Sequence, residues 1–376
     1  MRKLLVVLAF SLPVFAQTNA ISGRVVDDSG AAIPKATVSV YEAKPRIGVS
    51  ALCPSCWRDC GKRETTAANG EFRIAAVDDK LVFRLLTVAE GYEPALASDV
   101  DPRHGALTVT MKKRVSEGNI VRGRVVDPDG KLVVGASVTP QAVREKTRAG
   151  FGKIPGVDPL SVTNEHGEFA LRTLPGTTLD VRIDARNFAR AIEPQLVPGE
   201  LRTIRLGYGT TVFGRVMKEG KPVAGAAVGF VQKWRAAETY MGVDEIGTDE
   251  DGRFVKTGLP PGFEYFVYPK TEPFAPYAVQ PKVVCTATEG ANVDAGTFEL
   301  QRGLTIRGRL SEAKRGVEVI LIPEYEAAPR VARTDGEGRF VFEGVAEEPV
   351  DIRARGMKGL QLTPTGDVEV VLQPGQ

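Results

Sequence analysis

The chain has 376 residues, 43% hydrophobic and 26% charged, a balance that suits folded domains and excludes a disordered polymer. Its 49 Lys and Arg against 47 Asp and Glu leave a net charge of +2, with both signs interspersed. No basic stripe is therefore available for nucleic acid or an anionic lipid surface, and the 40 Gly and 25 Pro favour many turns over long helices.

The first segment, "MRKLLVVLAFSLPVFAQ", has a basic start at Arg2 and Lys3, an apolar run from Leu4 to Phe15, and small residues at Val14 and Ala16. That is the pattern of a secretory signal, expected over residues 1–16. No later stretch approaches the ~20 apolar residues that a membrane helix needs. The expectation is an exported chain, secreted, periplasmic or at the cell surface, with no transmembrane segment after signal removal.

Beyond the signal one unit is written four times. Gly23-Arg24-Val25 recurs as Gly123-Arg124-Val125, Gly214-Arg215-Val216 and Gly308-Arg309-Leu310. A second segment follows each: "ATVSV", "ASVTP", "AAVGF" and "VEVIL". Then come "TAANGEF" from Thr66, "TNEHGEF" from Thr163, "TDEDGRF" from Thr248 and "TDGEGRF" from Thr334. The units close on alternating strands such as "LTVTM" and "VEVVL". Their expected limits are 17–114, 115–209, 210–302 and a shorter, divergent 303–376.

Each piece has a physical reading. In "LTIRGRL" Leu304, Ile306, Gly308 and Leu310 share one face and Thr305, Arg307 and Arg309 the other, the period of a half-buried strand. "DDSG" and "DPDG" are turn signals, in which Gly accepts positive φ and Asp bonds its own backbone. The T-x-x-x-G-[ER]-F element is a tight turn feeding a strand, with Phe aimed at the core. Short strands at regular spacing predict an all-β fold of four tandem Greek-key sandwiches, joined by short connectors into an elongated series.

The G-R-V opening, the A-x-V strand, T-[DN]-x-x-G-x-F and the L-P-x-G corner (Leu174, Leu259) together resemble carboxypeptidase regulatory-like domains. These are transthyretin-like β-sandwiches found in tandem in secreted bacterial proteins. The resemblance covers all the units, with "GVAEEP" replacing the corner in the fourth. It implies a non-catalytic accessory, adhesive or binding module, and no cofactor.

Catalytic motifs are missing. The two histidines, His104 and His166, lack ligand-spaced partners, and G-x-S-x-G is absent. Asp249, Glu250 and Asp251 fall short of a calcium loop's oxygen set and read as a solvated turn. "SALCPSCWRDCGKRE" holds Cys53, Cys56 and Cys60, with Cys285 far downstream. C-x2-C-W excludes covalent haem attachment, and the setting between strands argues against a thioredoxin-like dithiol. In an oxidising compartment, a disulfide from Cys53 or Cys56 to Cys60 is the expected local staple, and the remaining cysteine pairs with Cys285 or stays free. Metal binding is the weaker alternative.

Binding function points to the segment between the A-x-V strand and the T-x-x-x-G turn. Both tryptophans of the chain, Trp57 and Trp234, lie there, flanked by Arg58, Lys62, Arg63, Lys233 and Arg235, while Phe151 and Tyr325 hold that place in the other units. Such aromatics either pack against a sandwich or stay exposed as a platform for a sugar face or a partner's side chain. The sequence therefore predicts a monomeric, non-enzymatic array that is a structural, adhesive or interaction element of the cell envelope, meeting a protein or polysaccharide partner. Trp57, Trp234, Arg58 and Arg235 are the candidate contacts. The alternative is a carbohydrate-binding array.

Overall fold

The computed structural model describes residues 19–48, 52, 57–113, 119–146, 148–234, 241–325 and 327–375. Strands run from Ala20–Asp27 to Val368–Leu372, and the one helical element among the described residues is the short turn Glu272–Phe274. Among the described residues the strands make eight sheets of three to five strands each.

The sheets follow the repeated segments. In every repeat the G-R-V strand is the centre of one sheet, antiparallel to the strand after the T-x-x-x-G turn and parallel to the closing strand. Ala20–Asp27 thus lies between Glu71–Ala75 and Leu107–Met111, and Leu304–Leu310 between Arg339–Val345 and Val368–Leu372. The A-x-V strand pairs with the next long strand in a second sheet, as Thr37–Pro45 does with Leu81–Val88 and Ala227–Gln232 with Glu264–Pro269. Buried residues from the two sheets meet in one cluster per repeat. Val25, Val38, Phe72 and Phe83 form the first, Val125, Val138, Phe169 and Val181 the second. Val216, Val228, Phe254 and Val267 form the third, Leu310, Val319, Phe340 and Ile352 the fourth. The protein is an all-β series of sandwiches, each with its own core.

The recurring residues are the ones that close each sandwich. The motif threonine is buried, and its Oγ1 ties the turn to the connection that leads into the A-x-V strand. Thr66 Oγ1 accepts from the Ala36 N–H (2.8 Å) and donates to the Ile33 carbonyl (2.8 Å). Thr163 does the same with Ala136 (2.9 Å) and Val133 (2.7 Å), Thr248 with Ala226 (2.9 Å) and Val223 (2.6 Å), Thr334 with Val317 (3.0 Å) and Lys314 (2.5 Å). In the last three repeats the acidic or amide residue after it caps the turn, as Asp249 Oδ1 does for the N–H groups of Asp251 and Arg253, while in the first repeat Asn69 Oδ1 accepts from the Glu71 N–H. His166 lends its backbone N–H to Asn164 Oδ1 (2.9 Å) in that turn, and its exposed ring lies 3.6 Å from the Glu165 carboxylate.

The motif glycine and phenylalanine are a matched pair. Gly23, Gly123, Gly214 and Gly308 stand directly across the ladder from Phe72, Phe169, Phe254 and Phe340. In each pair a Cβ on the glycine would collide with the ring. Overfilling a packed core in this way costs about 1–3 kcal/mol. Gly123→Ala is expected to lower the unfolding free energy, read from chemical denaturation, by that amount, and adding Phe169→Leu should recover part of it. A fully stable Gly123→Ala would show that the ring has room.

The series is more closely knit than its short connectors alone require. The first repeat touches the third as well as the second. Lys80 Nζ pairs with Glu250 (2.5 Å), and the backbones of Gly48 and Gly225 lie against each other. Both glycines have positive φ (94° and 68°), and a side chain on either would meet the other's main chain.

Candidate functional site

The places where chemistry concentrates are the joints between repeats. Trp57 lies in one of them. Its ring packs half-buried against both the first and the third core, and its carbonyl accepts from Arg186 Nη1 of the second repeat at 2.9 Å. The indole N–H is buried and has no hydrogen-bond partner among the described residues. A cleft of about 650 Å³ opens beside it, lined by Arg46, Asp78, Lys80 and Arg103 on one wall and Asp249, Glu250 and Asp251 on the other. Its basic groups are already engaged. Arg103 and Arg46 both grip Asp101, holding that carboxyl well below the usual range, and Lys80 bridges to Glu250.

The other aromatics in that slot meet different fates. Tyr325 is half-buried and stacks on Tyr268 of the third repeat, ring centroids 4.2 Å apart. Phe151, at the end of the edge strand Arg148–Phe151, is 74% exposed, and Trp234 is 70% exposed with Lys233 Nζ 5.9 Å from its ring. Lys233 in turn pairs with Glu264 (3.4 Å). Arg58 is exposed, and Arg235 lies outside the described residues. One sequence slot thus yields two packed rings and two open ones, so equivalence in the repeat does not predict exposure. Trp57 is committed to packing; Trp234 is the candidate still open to a partner.

The cysteines separate in the same way. Cys60 is 5% exposed within the first core, and burial pushes its thiol up to about 12. Cys285 is a free, exposed thiol on the strand Lys282–Cys285 of the third repeat. The expected long-range bridge to Cys285 is therefore not formed, and the cysteine that would have made it, Cys53 or Cys56, lies outside the described residues. Cys53 and Cys56, the other ends of the expected local staple, lie outside the described residues. A thiol reagent should label Cys285 in the native protein and Cys60 only after unfolding, since a buried neutral thiol is a poor nucleophile. Peptide-resolved mass spectrometry checks this; native labelling of Cys60 would contradict its place in the core.

A joint the motifs did not announce lies between the second and third repeats. Arg190, 8% exposed, donates from Nε to Asp184 Oδ1 (2.7 Å) and from Nη1 to Asp244 Oδ1 (2.7 Å). Arg182 holds the other oxygen of Asp184 (2.8 Å), and Lys256, 3% exposed, holds the other oxygen of Asp244 (3.1 Å). The signs alternate along the ladder, so every buried charge has an opposite neighbour. Burial works against ionising Asp244, yet Lys256 and Arg190 outweigh it and keep the carboxyl at about 2. One signal for this joint was present in the sequence. In the strand Arg253–Leu259, period two places Lys256 on the same face as Phe254, and a lysine on a core face needs a buried partner.

Among the described residues no group of three His, Cys, Asp or Glu is placed to hold a metal ion, and no helix is long and apolar enough to cross a membrane. No family model matches the sequence, and no curated protein matches it, so the regulatory-like kinship of the motifs stands as a resemblance. Among solved structures the chain is similar to the Bacillus anthracis TIE protein, at 11% identity over 98% of this chain and 76% of that one, with a TM-score of 0.21. It is similar to two B repeat units of the collagen-binding protein of Staphylococcus aureus, at 11% identity over 95% and 99% of the two chains, with a TM-score of 0.21. It is also similar to a streptococcal ancillary pilin, at 14% identity over 75% and 99%, with a TM-score of 0.21. At those TM-scores none of them bears on what this chain does.

Proposed function

We propose that the chain is an exported, non-enzymatic array of β-sandwich modules, spanning 17–114, 115–209, 210–302 and 303–376, that serves as a structural or adhesive element of the cell envelope. The observation that carries this reading is where the strongly perturbed groups sit. In an enzyme, buried charges and shifted carboxyls converge on a substrate cleft. Here the buried Arg190, Asp244 and Lys256 join the second and third repeats, and Tyr325 joins the third to the fourth. Trp57 and the Lys80–Glu250 pair join the first to the third. Groups of that kind suit a body that keeps its modules in fixed relation while one surface meets a protein or polysaccharide partner.

Small-angle scattering of the mature chain tests the reading. A single rigid particle is expected, described by one arrangement of modules. A broad ensemble of independently moving modules would overturn it, as would cell fractionation that places the chain in the cytoplasm.

A further inference from the structure

The outer face of the second sheet in the third repeat is covered by the fourth. Val231, Phe266 and Tyr268 point away from the third core, yet they are only 0%, 7% and 1% exposed. Tyr325, Ala327 and Ala328, which follow the strand Glu318–Pro323, lie on them. Tyr325 stacks on Tyr268 and reaches Phe266 at 6.2 Å between ring centroids. The seat is apolar and aromatic, so a charge placed against it is disfavoured relative to the same charge in water.

A carboxyl stands at its rim. The turn between the strands Arg339–Val345 and Val350–Ala354 approaches the third repeat, where Gln280 Nε2 donates to the Glu347 carbonyl (2.8 Å). The next residue, Glu348, is half-buried, and its Oε2 is shut off from solvent with no hydrogen-bond partner among the described residues. Two groups of the fourth repeat face it, the Glu324 carboxylate and the Tyr325 ring. Neither is a cation. Glu272 of the third repeat and Arg330 of the strand Arg330–Arg333 face the same tyrosine. The Arg330 guanidinium is already committed to the carbonyls of Gly344 (3.0 Å) and Glu343 (2.5 Å). Glu326 lies outside the described residues.

Burial first, and the Glu324 carboxylate second, push Glu348 up to about 7 from the ordinary 4.5. A carboxyl raised in this way favours the seated form while it is protonated. That advantage is fully present below 4.5 and is lost as pH rises through about 7. Its loss displaces the seating equilibrium by on the order of a hundredfold at most. The aromatic stack remains, so the seated form still dominates on the alkaline side and the open form grows as a minority.

We propose that the joint between the third and fourth repeats is a pH-responsive latch with Glu348 as its trigger. Protonated, Glu348 lets the fourth repeat seat. Charged, it opposes the Glu324 carboxylate, and the fourth repeat lifts more often and bares the face of Val231, Phe266 and Tyr268. The two histidines, His104 and His166, belong to the first and second repeats, so neither supplies a neutral-pH switch at this joint. The latch concerns the joint alone and is independent of which partner the array meets.

Labelling of the full mature chain carrying Val231→Cys tests it, because the introduced thiol lies on the covered face. Peptide-resolved mass spectrometry reads its modification against that of Cys285, an exposed thiol in the same repeat that corrects for the pH dependence of the reagent. From about pH 5 to about pH 8.5 the ratio should rise at least about tenfold. With Glu348→Gln added, a side chain of the same shape that stays neutral, the ratio should remain flat. If Val231→Cys itself unseats the fourth repeat, shown by a high ratio already at acidic pH, Ala328→Cys replaces it. A flat ratio without Glu348→Gln, or an equal rise with it, would overturn the latch and leave the array reading intact. A broad scattering ensemble at acidic pH, where the latch is closed, would instead count against the array.

Discussion

Arg190→Ala should lower the unfolding free energy by about 3–5 kcal/mol, the range for removing one partner from a buried charge pair. The arginine satisfies one oxygen each of Asp184 and Asp244, and the variant leaves both carboxylates buried with that oxygen bare. Arg182 and Lys256 still hold the other oxygens, which places the expected loss towards the lower end. Chemical denaturation read by circular dichroism measures it, and the scattering profile should broaden as the joint between the second and third repeats loosens. The acid response gives an independent check. Asp244 is held at about 2, below the ordinary aspartate value of 3.8, so the stabilisation from its ionised form is fully present above 3.8 and is lost as pH falls towards 2. Melting temperatures of the wild type should therefore fall over that window, and Arg190→Ala should flatten the fall because the group that helps depress the carboxyl is gone. Unchanged melts at every pH would mean that the ladder contributes nothing to the joint.

Trp57→Ala should cost about 2–3 kcal/mol, less than the 3–5 of a fully buried tryptophan because the ring is half exposed. The signature is where the loss falls. The ring packs on the first and third cores, so hydrogen-exchange protection should drop in both of these repeats although they are far apart in sequence. Trp57→Phe should recover most of the packing, since the indole N–H has no hydrogen-bond partner among the described residues to lose. Trp234→Ala in the same slot should stay within about 0.5 kcal/mol of the wild type, as exposed substitutions do. Equal effects at the two tryptophans would contradict the distinction between a packed ring and an open one.

The sequence by itself determined what each sandwich needs, because those needs recur. A core threonine, a glycine facing a phenylalanine, and an Asx turn are required once per repeat. Thr66, Thr163, Thr248 and Thr334 therefore stand in register, and Gly123 and Phe169 are read as strand and turn before their contact is known. Strand order, turn chemistry and the all-β class follow from this local, period-two information. The joints are different. Each occurs once, so no repetition marks it, and its residues are distant in the chain, as in Lys80 with Glu250 and Arg190 with Asp244. The parity of Lys256 hinted that a buried charge was coming, but not which acid would meet it. Trp57 and Trp234 share a slot and differ in exposure, because what a ring packs on is decided by the neighbouring repeat. The tertiary structure alone decided which sandwich lies against which. That choice rests on surfaces that form only once each core has closed, and local periodicity carries no record of it.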